Sequence, residues 1–244
     1  MDVPISAQGK LLSADRLYFV AKNAYERLKV FSSSTSGGKD DALVVLLFCA
    51  AALEAFLNEL PELLSMFPAP SASEPPQIAS YVDLAEEVEA NNGSTKLKYL
   101  IAYSILSGQP CKKGESPYQD FSLLVDIRNE LLHAKPRNVS SKTKPDGTIE
   151  FGPQHKILAR LRDKDILDTS QPTFDIPVTN PQGAIVTRPT PIPLPWHHRV
   201  ATRAAANWAC ETVATVVESL LKVVPNSQNK ANVQVLCQSF RHTP

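Results

Sequence analysis

This chain has no excess of charge of either sign: lysine plus arginine and aspartate plus glutamate are 25 each. No global pull toward nucleic acid or a membrane surface follows from net charge. Its cysteines are few, and Cys49, Cys111, Cys210 and Cys237 show no CxxC spacing, which argues against a zinc site or a disulfide framework. Cys49 and Cys210 lie in strongly apolar segments, where a free thiol acts as a small hydrophobe. Met1 to Gln8 has neither a basic n-region nor an apolar h-region, so no signal peptide is expected. The longest apolar run, Ala42 to Leu53, ends at Glu54 and falls short of the roughly 20 residues that span a bilayer. The expectation is a soluble, cytoplasmic chain with no membrane partner. HxH, HExxH and EF-hand spacings are missing, and Gly37-Gly38-Lys39 lacks the earlier glycine and the preceding strand of a phosphate loop. Neither a metal nor a cofactor is expected, and there is no internal repeat.

What the chain does have is helical periodicity. Leu17, Val20, Ala21, Ala24 and Leu28 share one side of a helix that Ser13 or Asp15 can cap, running to about Val30. Asp40 or Asp41 can cap a long helix from Ala42 to about Met66, apolar nearly all round at first, as suits the centre of a bundle. Pro61 is expected to bend or end it. A short acidic helix is expected over Tyr81 to Ala90, a helix from Thr95 to Leu106 capped by Asn92-Gly93-Ser94, and another from Tyr118 to His133 with Phe121, Leu124, Val125 and Leu132 inward. Lys135-Pro136 stops the last of these. The final long helix is placed from about His198 to Val223, with Trp208 and Val213 on its apolar stripe.

Residues 136 to 195 differ, holding ten of the twenty prolines. Asp146-Gly147 between Lys144 and Ile149-Glu150-Phe151 reads as a small hairpin, His155 to Asp163 as one or two helical turns, and Thr169 to Pro195 as an extended stretch ending like polyproline II. The fold class expected is therefore all-α: a bundle of about five to six helices in one domain over 1–244, with a proline-rich, partly extended insertion at about 136–195.

Charge is unevenly spread. Glu54 to Ala90 carries eight acidic residues and no lysine or arginine, whereas Arg128 to Lys164 carries nine basic against four acidic. Any polyanion would meet the second stretch, through Lys135, Arg137, Lys142, Lys144, Lys156, Arg160 and Arg162. Farther on, Trp196-His197-His198 with Arg199 and Arg203 is either a stacking surface for RNA or the start of a surface helix.

The second stretch opens on Asp126-Ile127-Arg128-Asn129-Glu130-Leu131-Leu132-His133-Ala134-Lys135-Pro136. Arginine, a polar residue and a histidine five positions on, where an amphipathic helix runs out, can hold and attack a phosphodiester. On an ideal helix Asn129 and His133 share a face, while Arg128 lies about 140° from His133. The bland alternative is that His133 caps its helix and Arg128 pairs with Asp126 or Glu130. A second polar pair, Glu54 and Asn58, stands i,i+4 within Ala51-Ala52-Leu53-Glu54-Ala55-Phe56-Leu57-Asn58-Glu59-Leu60. Burying it without partners would cost several kcal/mol, on the order of 2–7.

These words resemble the signature of the HEPN superfamily of all-helical, mostly prokaryotic domains, many of them metal-independent ribonucleases. The resemblance covers the helix at 42–60, the motif helix at 118–136 and, more loosely, the terminal helix with Trp208-Ala209-Cys210-Glu211-Thr212; the insertion matches no known pattern. It implies a homodimer in which two motif helices form one composite cleft, His133 acting as general acid/base, Arg128 holding the scissile phosphate and Asn129 orienting the histidine or donating to the phosphate. It further implies that Glu54 and Asn58 support the motif helix, with Glu54 able to pair with Arg128. The activity implied is that of a metal-independent endoribonuclease, a toxin or defence effector, with RNA as substrate and an antitoxin or other protein as a possible partner. The superfamily also holds non-catalytic protein-interaction and nucleotide-binding members, so those readings stand beside it.

Overall fold

The computed structural model describes residues 12–30, 36–66, 75–133, 141–143, 149–151, 155–179, 183–192, 194–225 and 228–240. These residues are mostly helical, with few strands. In chain order the elements are α1 (Ala14–Val30), α2 (Ser36–Ser65), α3 (Pro76–Ala90), α4 (Thr95–Ser107), α5 (Tyr118–Leu132), β1 (Ser141–Thr143), β2 (Ile149–Phe151), α6 (Lys156–Leu161), β3 (Thr173–Thr179), β4 (Ile185–Pro191), α7 (Trp196–Val200), α8 (Arg203–Val223) and α9 (Gln228–Leu236).

The centre is α2, which packs along α1 and α8 and also meets α3, α4, α5 and α9. Its sequence explains the position. Val45, Leu46, Cys49, Ala52, Leu53, Phe56, Leu57, Leu60, Leu63 and Leu64 are all buried, and that spread around the helix axis leaves little surface to give to water. By length and composition, Gly38–Ser65 is apolar enough to cross a membrane, a longer stretch than the Ala42–Leu53 run suggested. Half of its apolar window is buried inside the protein, the condition of a core helix. On the facing helices Tyr18 of α1, Tyr99 of α4, Phe121, Leu124 and Val125 of α5, and Val213 of α8 close the core. The thiols of Cys49 and Cys210 meet across α2 and α8 at 3.9 Å, and burial pushes the Cys49 pKa well up.

Helix ends depart from expectation where a distant residue supplies the cap. At the start of α1 the Glu59 carboxylate of α2 accepts from Ser13 N at 2.5 Å and Ala14 N at 3.1 Å, while Asp15 Oδ1 accepts from Arg16 N at 2.7 Å. Asp41 does not cap α2, which starts earlier, at Ser36, and it pairs instead with Arg27 of α1 at 2.5 Å. Pro61 is accommodated within α2, which runs on to Ser65. The Ser94 cap on α4 forms as expected, its side chain accepting from Leu97 N. Between α3 and α4, Gly93 is required: a Cβ there would lie 2.3 Å from Val88 Cγ1 and 2.9 Å from its carbonyl oxygen.

Three further differences concern extent and exposure. The acidic helix α3 begins at Pro76, five residues before Tyr81, because proline starts a helix well. The last long helix is two: α7 ends at Val200, and α8 restarts at Arg203 with Thr202 Oγ1 accepting from Ala205 N at 2.9 Å. Leu132, expected inside, is the last residue of α5 and is 58% exposed. Trp208 is only partly buried, its ring N–H donating to Asp120 at 3.2 Å.

Between α5 and α8 the chain forms two antiparallel strand pairs. β1 and β2 pair from Ser141 with Phe151 to Thr143 with Ile149; the Asp146-Gly147 turn expected to join them lies outside the described residues. β3 and β4 pair over seven positions, from Thr173 with Pro191 to Thr179 with Ile185, within the stretch expected to be extended; the pairing itself was not foreseen. Pro177, Pro189 and Pro191 hid this ribbon. In a two-stranded ribbon each strand keeps an open edge, where a missing N–H breaks no ladder bond.

Leu53→Ala should lower the free energy of unfolding by about 2–5 kcal/mol, because a fully buried leucine at the most enclosed helix leaves a cavity that cannot collapse. Urea unfolding followed by circular dichroism measures this. A loss under about 1 kcal/mol would mean that α2 is not the central element.

Candidate functional site

On α5 three carboxylates and one guanidinium face other elements. Arg128 points toward α2, where its guanidinium forms an ion pair with Glu54 and its Nη1 donates to Asn129 Oδ1 at 2.9 Å. Glu54 also accepts from Thr95 Oγ1 of α4 at 3.1 Å. The Arg128 side chain is 20% exposed and that of Glu54 35%. Burial pulls the Arg128 pKa below that of a free guanidinium, yet such a group keeps its charge at neutral pH. The Glu54–Arg128 pairing suggested for the motif helix is thus present, whereas pairing of Arg128 with Asp126 or Glu130 is not.

Those two acids hold other partners. Asp126 accepts from Lys96 of α4 at 2.6 Å and from Arg160 of α6 at 2.5 Å. Burial alone would raise its pKa, but the bonds and positive charge of Lys96 and Arg160 outweigh it and hold the carboxyl below the ordinary aspartate value. Glu130 meets His155 Nε2 at 3.2 Å and Lys156 Nζ at 3.4 Å. At the other end of α5, Asp120 binds Lys164 at 2.5 Å. The segment 155–164 thus lies antiparallel along α5, its cations at 156, 160 and 164 spaced by four residues and matched to acids at 130, 126 and 120.

Cations expected to meet phosphate thus also face acids of α5. Lys156 and Arg160 are spent at least partly on α5, with side chains 76% and 43% exposed. Arg162 is exposed. The side chain of Lys142 is not described, and Lys135, Arg137 and Lys144 lie outside the described residues.

Asn58 stands on α2 one turn from Glu54 and is exposed, and its Oδ1 accepts from Lys98 Nζ of α4 at 2.8 Å. It borders a groove of about 190 Å³ between α2, α3 and α4, floored by Leu57, Pro61, Tyr81 and Ile101, and does not brace Arg128. Both residues meet α4, Glu54 at Thr95 and Asn58 at Lys98, but of the two only Glu54 has a bond to α5 among the described residues.

His133 follows Leu132 as the C-terminal cap of α5, its N–H bonding Asn129 O at 2.9 Å. It is exposed, and among the described residues no hydrogen bond or ion pair engages its ring. Arg128 and His133 of one chain are therefore held in different ways: the first is pinned to α2, the second open to water. Trp196 stacks on His155, with ring centroids 4.6 Å apart, and His197 stands edge-on to it at 6.1 Å; one face of the indole is thus occupied from within. His155, Thr95, Lys96 and Asp120 were not singled out from the sequence, and Asp126 and Glu130 were considered only as partners of Arg128. The four-residue spacing of Lys156, Arg160 and Lys164 was the available signal.

No protein-family model, curated protein or solved structure matches this chain. The reading of the site rests on its residues.

Two outcomes follow. Arg128→Ala should reduce stability by roughly 1–2 kcal/mol, because it strands the half-buried Glu54, whereas His133→Ala should change it by less than about 0.5 kcal/mol; thermal melts of both variants compare them. Asp126 has a lowered folded-state pKa, so its contribution is full above the unfolded value and is lost as pH falls from about 4 through the folded value. Asp126→Asn should therefore flatten the acid limb of stability against pH. An unchanged limb would show that Asp126 gains nothing from Lys96 and Arg160.

Proposed function

We propose that this protein is a metal-independent endoribonuclease of HEPN type, a toxin or defence effector whose composite active site forms across a homodimer. The observation that carries the reading is the arrangement of Arg128, Asn129 and His133. The arginine is pre-positioned by Glu54 with Asn129 at its side, and the histidine ring is open to solvent one turn on. A guanidinium held on one side by a carboxylate keeps N–H groups for a phosphate and loses little entropy on binding it. A solvent-open imidazole can take and return a proton.

In this reading, the RNA 2′-hydroxyl gives its proton to His133 as its oxygen attacks phosphorus. The P–O5′ bond breaks, a proton is delivered to the leaving 5′ oxygen, and a 2′,3′-cyclic phosphate remains. Arg128 stabilises the charge that develops on the phosphoryl oxygens. Within one chain Arg128 and His133 belong to different sides of α5, so a second α5 crossing at a twofold axis supplies the convergence. Leu132, exposed beside His133, is an apolar side chain such a contact would cover. The domain would be a single helical bundle over 1–244 with an insertion at about 136–195, acting in the cytoplasm, with an antitoxin as a possible regulator.

A second reading, a non-catalytic helical dimer serving as a protein-interaction or nucleotide-binding module, is favoured by one feature. Lys156, Arg160 and Lys164 already neutralise acids of α5, which leaves less basic surface for RNA.

Incubation with RNA in the presence of EDTA separates the two. Cleavage should persist with EDTA, yield 2′,3′-cyclic phosphate ends, and fall by at least about a hundredfold in His133→Ala. Light scattering should report a dimer. Cleavage that disappears with EDTA, or survives in His133→Ala, would rule out this chemistry, and no cleavage at all would leave the interaction module.

A further inference from the structure

Among the described residues, the last turn of α5 has little local support beyond the His133 N–H bond to Asn129 O. That turn has no basic residue, and its cap, His133, has φ −110 and ψ 37 rather than the left-handed conformation of a glycine cap. Glu130 makes matters worse by placing a negative charge near the negative end of the helix dipole. Yet this turn carries Asn129 and His133.

What stands against it is a buried staple. The chain leaves α5 at His133 and is back on α5 at His155, 25 residues after Glu130. The His155 side chain is 3% exposed and is fixed on three sides. Its Nδ1 accepts from Ile157 N at 3.2 Å, which assigns the proton of the neutral ring to Nε2. That Nε2 faces Glu130 Oε2 at 3.2 Å, and its ring lies against Trp196. The second oxygen of Glu130 meets Lys156 at 3.4 Å. One carboxylate in the middle of Arg128-Asn129-Glu130-Leu131-Leu132-His133 therefore ties the turn of His133 to the 155–164 segment and, through Trp196, to α7.

We infer that Glu130 and His155 are positioning residues: their contact closes the loop that begins at His133 and holds the last turn of α5 in register for the chemistry of that histidine. The catalytic half of this inference rests on the ribonuclease reading above; the structural half does not. The staple has an unusual sign. Glu130→Gln removes the charge that opposes the helix dipole, so a purely local effect would make the last turn firmer. Loss of the staple makes it looser.

Hydrogen exchange of the amides of residues 130–133, measured on the full chain without RNA, reads the difference. In Glu130→Gln and in His155→Gln, exchange should accelerate by at least about tenfold, the scale of losing a bond to a charged group. The effects of the two substitutions should be less than additive in the double variant, because both remove the Glu130–His155 contact. Exchange in α2 should be unchanged, showing that the fold is kept. In RNA cleavage, kcat should fall in Glu130→Gln with KM held, and Glu130→Asp should recover part of it. Unchanged or slower exchange in Glu130→Gln overturns the staple. Faster exchange with kcat unaltered overturns the positioning role. Failure of the wild type to cleave RNA would remove the ribonuclease reading and with it the positioning role, while the exchange data judge the staple alone.

Discussion

Glu54 is a carboxylate on the one helix that can least accommodate it. α2 is surrounded on nearly every side, and a charge halfway along it must be met or the helix cannot sit where its leucines require. It is met by Arg128 of α5 and Thr95 of α4. Meeting it sets the rotation of α5 about its own axis and brings the start of α4 alongside. Lys96, next to Thr95, then reaches Asp126, so the same pair of residues on α4 joins α2 to α5. Rotation of α5 decides in turn which acids face outward to receive the 155–164 segment.

Hydrophobic burial supplies the bulk of the stability, but it does not distinguish one rotation of a helix from another by much where the faces are broadly apolar. The polar contacts do. Every carboxylate of α5 discussed here has a cation from another element, and each is partly exposed, so their value lies in selecting a geometry more than in raw energy. That selection leaves His133 at the end of α5, open to water, with Leu132 beside it. A pinned arginine and an open histidine on one helix are the physical content of the site.

How far the sequence could be read is clearest residue by residue. The helices around Leu46, Leu53, Phe121 and Val213 were legible because a 3.6-residue period of large apolar side chains has few other uses. So was the Ser94 cap, which is a local hydrogen bond. The caps supplied by Glu59, the break at Thr202 and the ribbon Thr173–Pro191 were not: the first comes from a residue 46 positions away in the chain, and the others depend on what the flanking segments pack against. Leu132 was misplaced, and the Lys98 partner of Asn58 was not foreseen, because an ideal helical wheel does not say which neighbours a given side will find.

From the sequence alone came the helical class, the central place of the 42–60 segment and the group Arg128, Asn129, His133, by local periodicity and residue chemistry, while the support of Glu54 was what the family resemblance implied. Only the tertiary structure decided the partners: Glu54 with Arg128, Asp126 with Lys96 and Arg160, Glu130 with His155, Asn58 with Lys98. Ion pairs between distant segments have no local signature, since any of 25 cations could serve any of 25 anions. The choice among them is made when apolar faces lock the helices at fixed distances and only a few pairs come within reach.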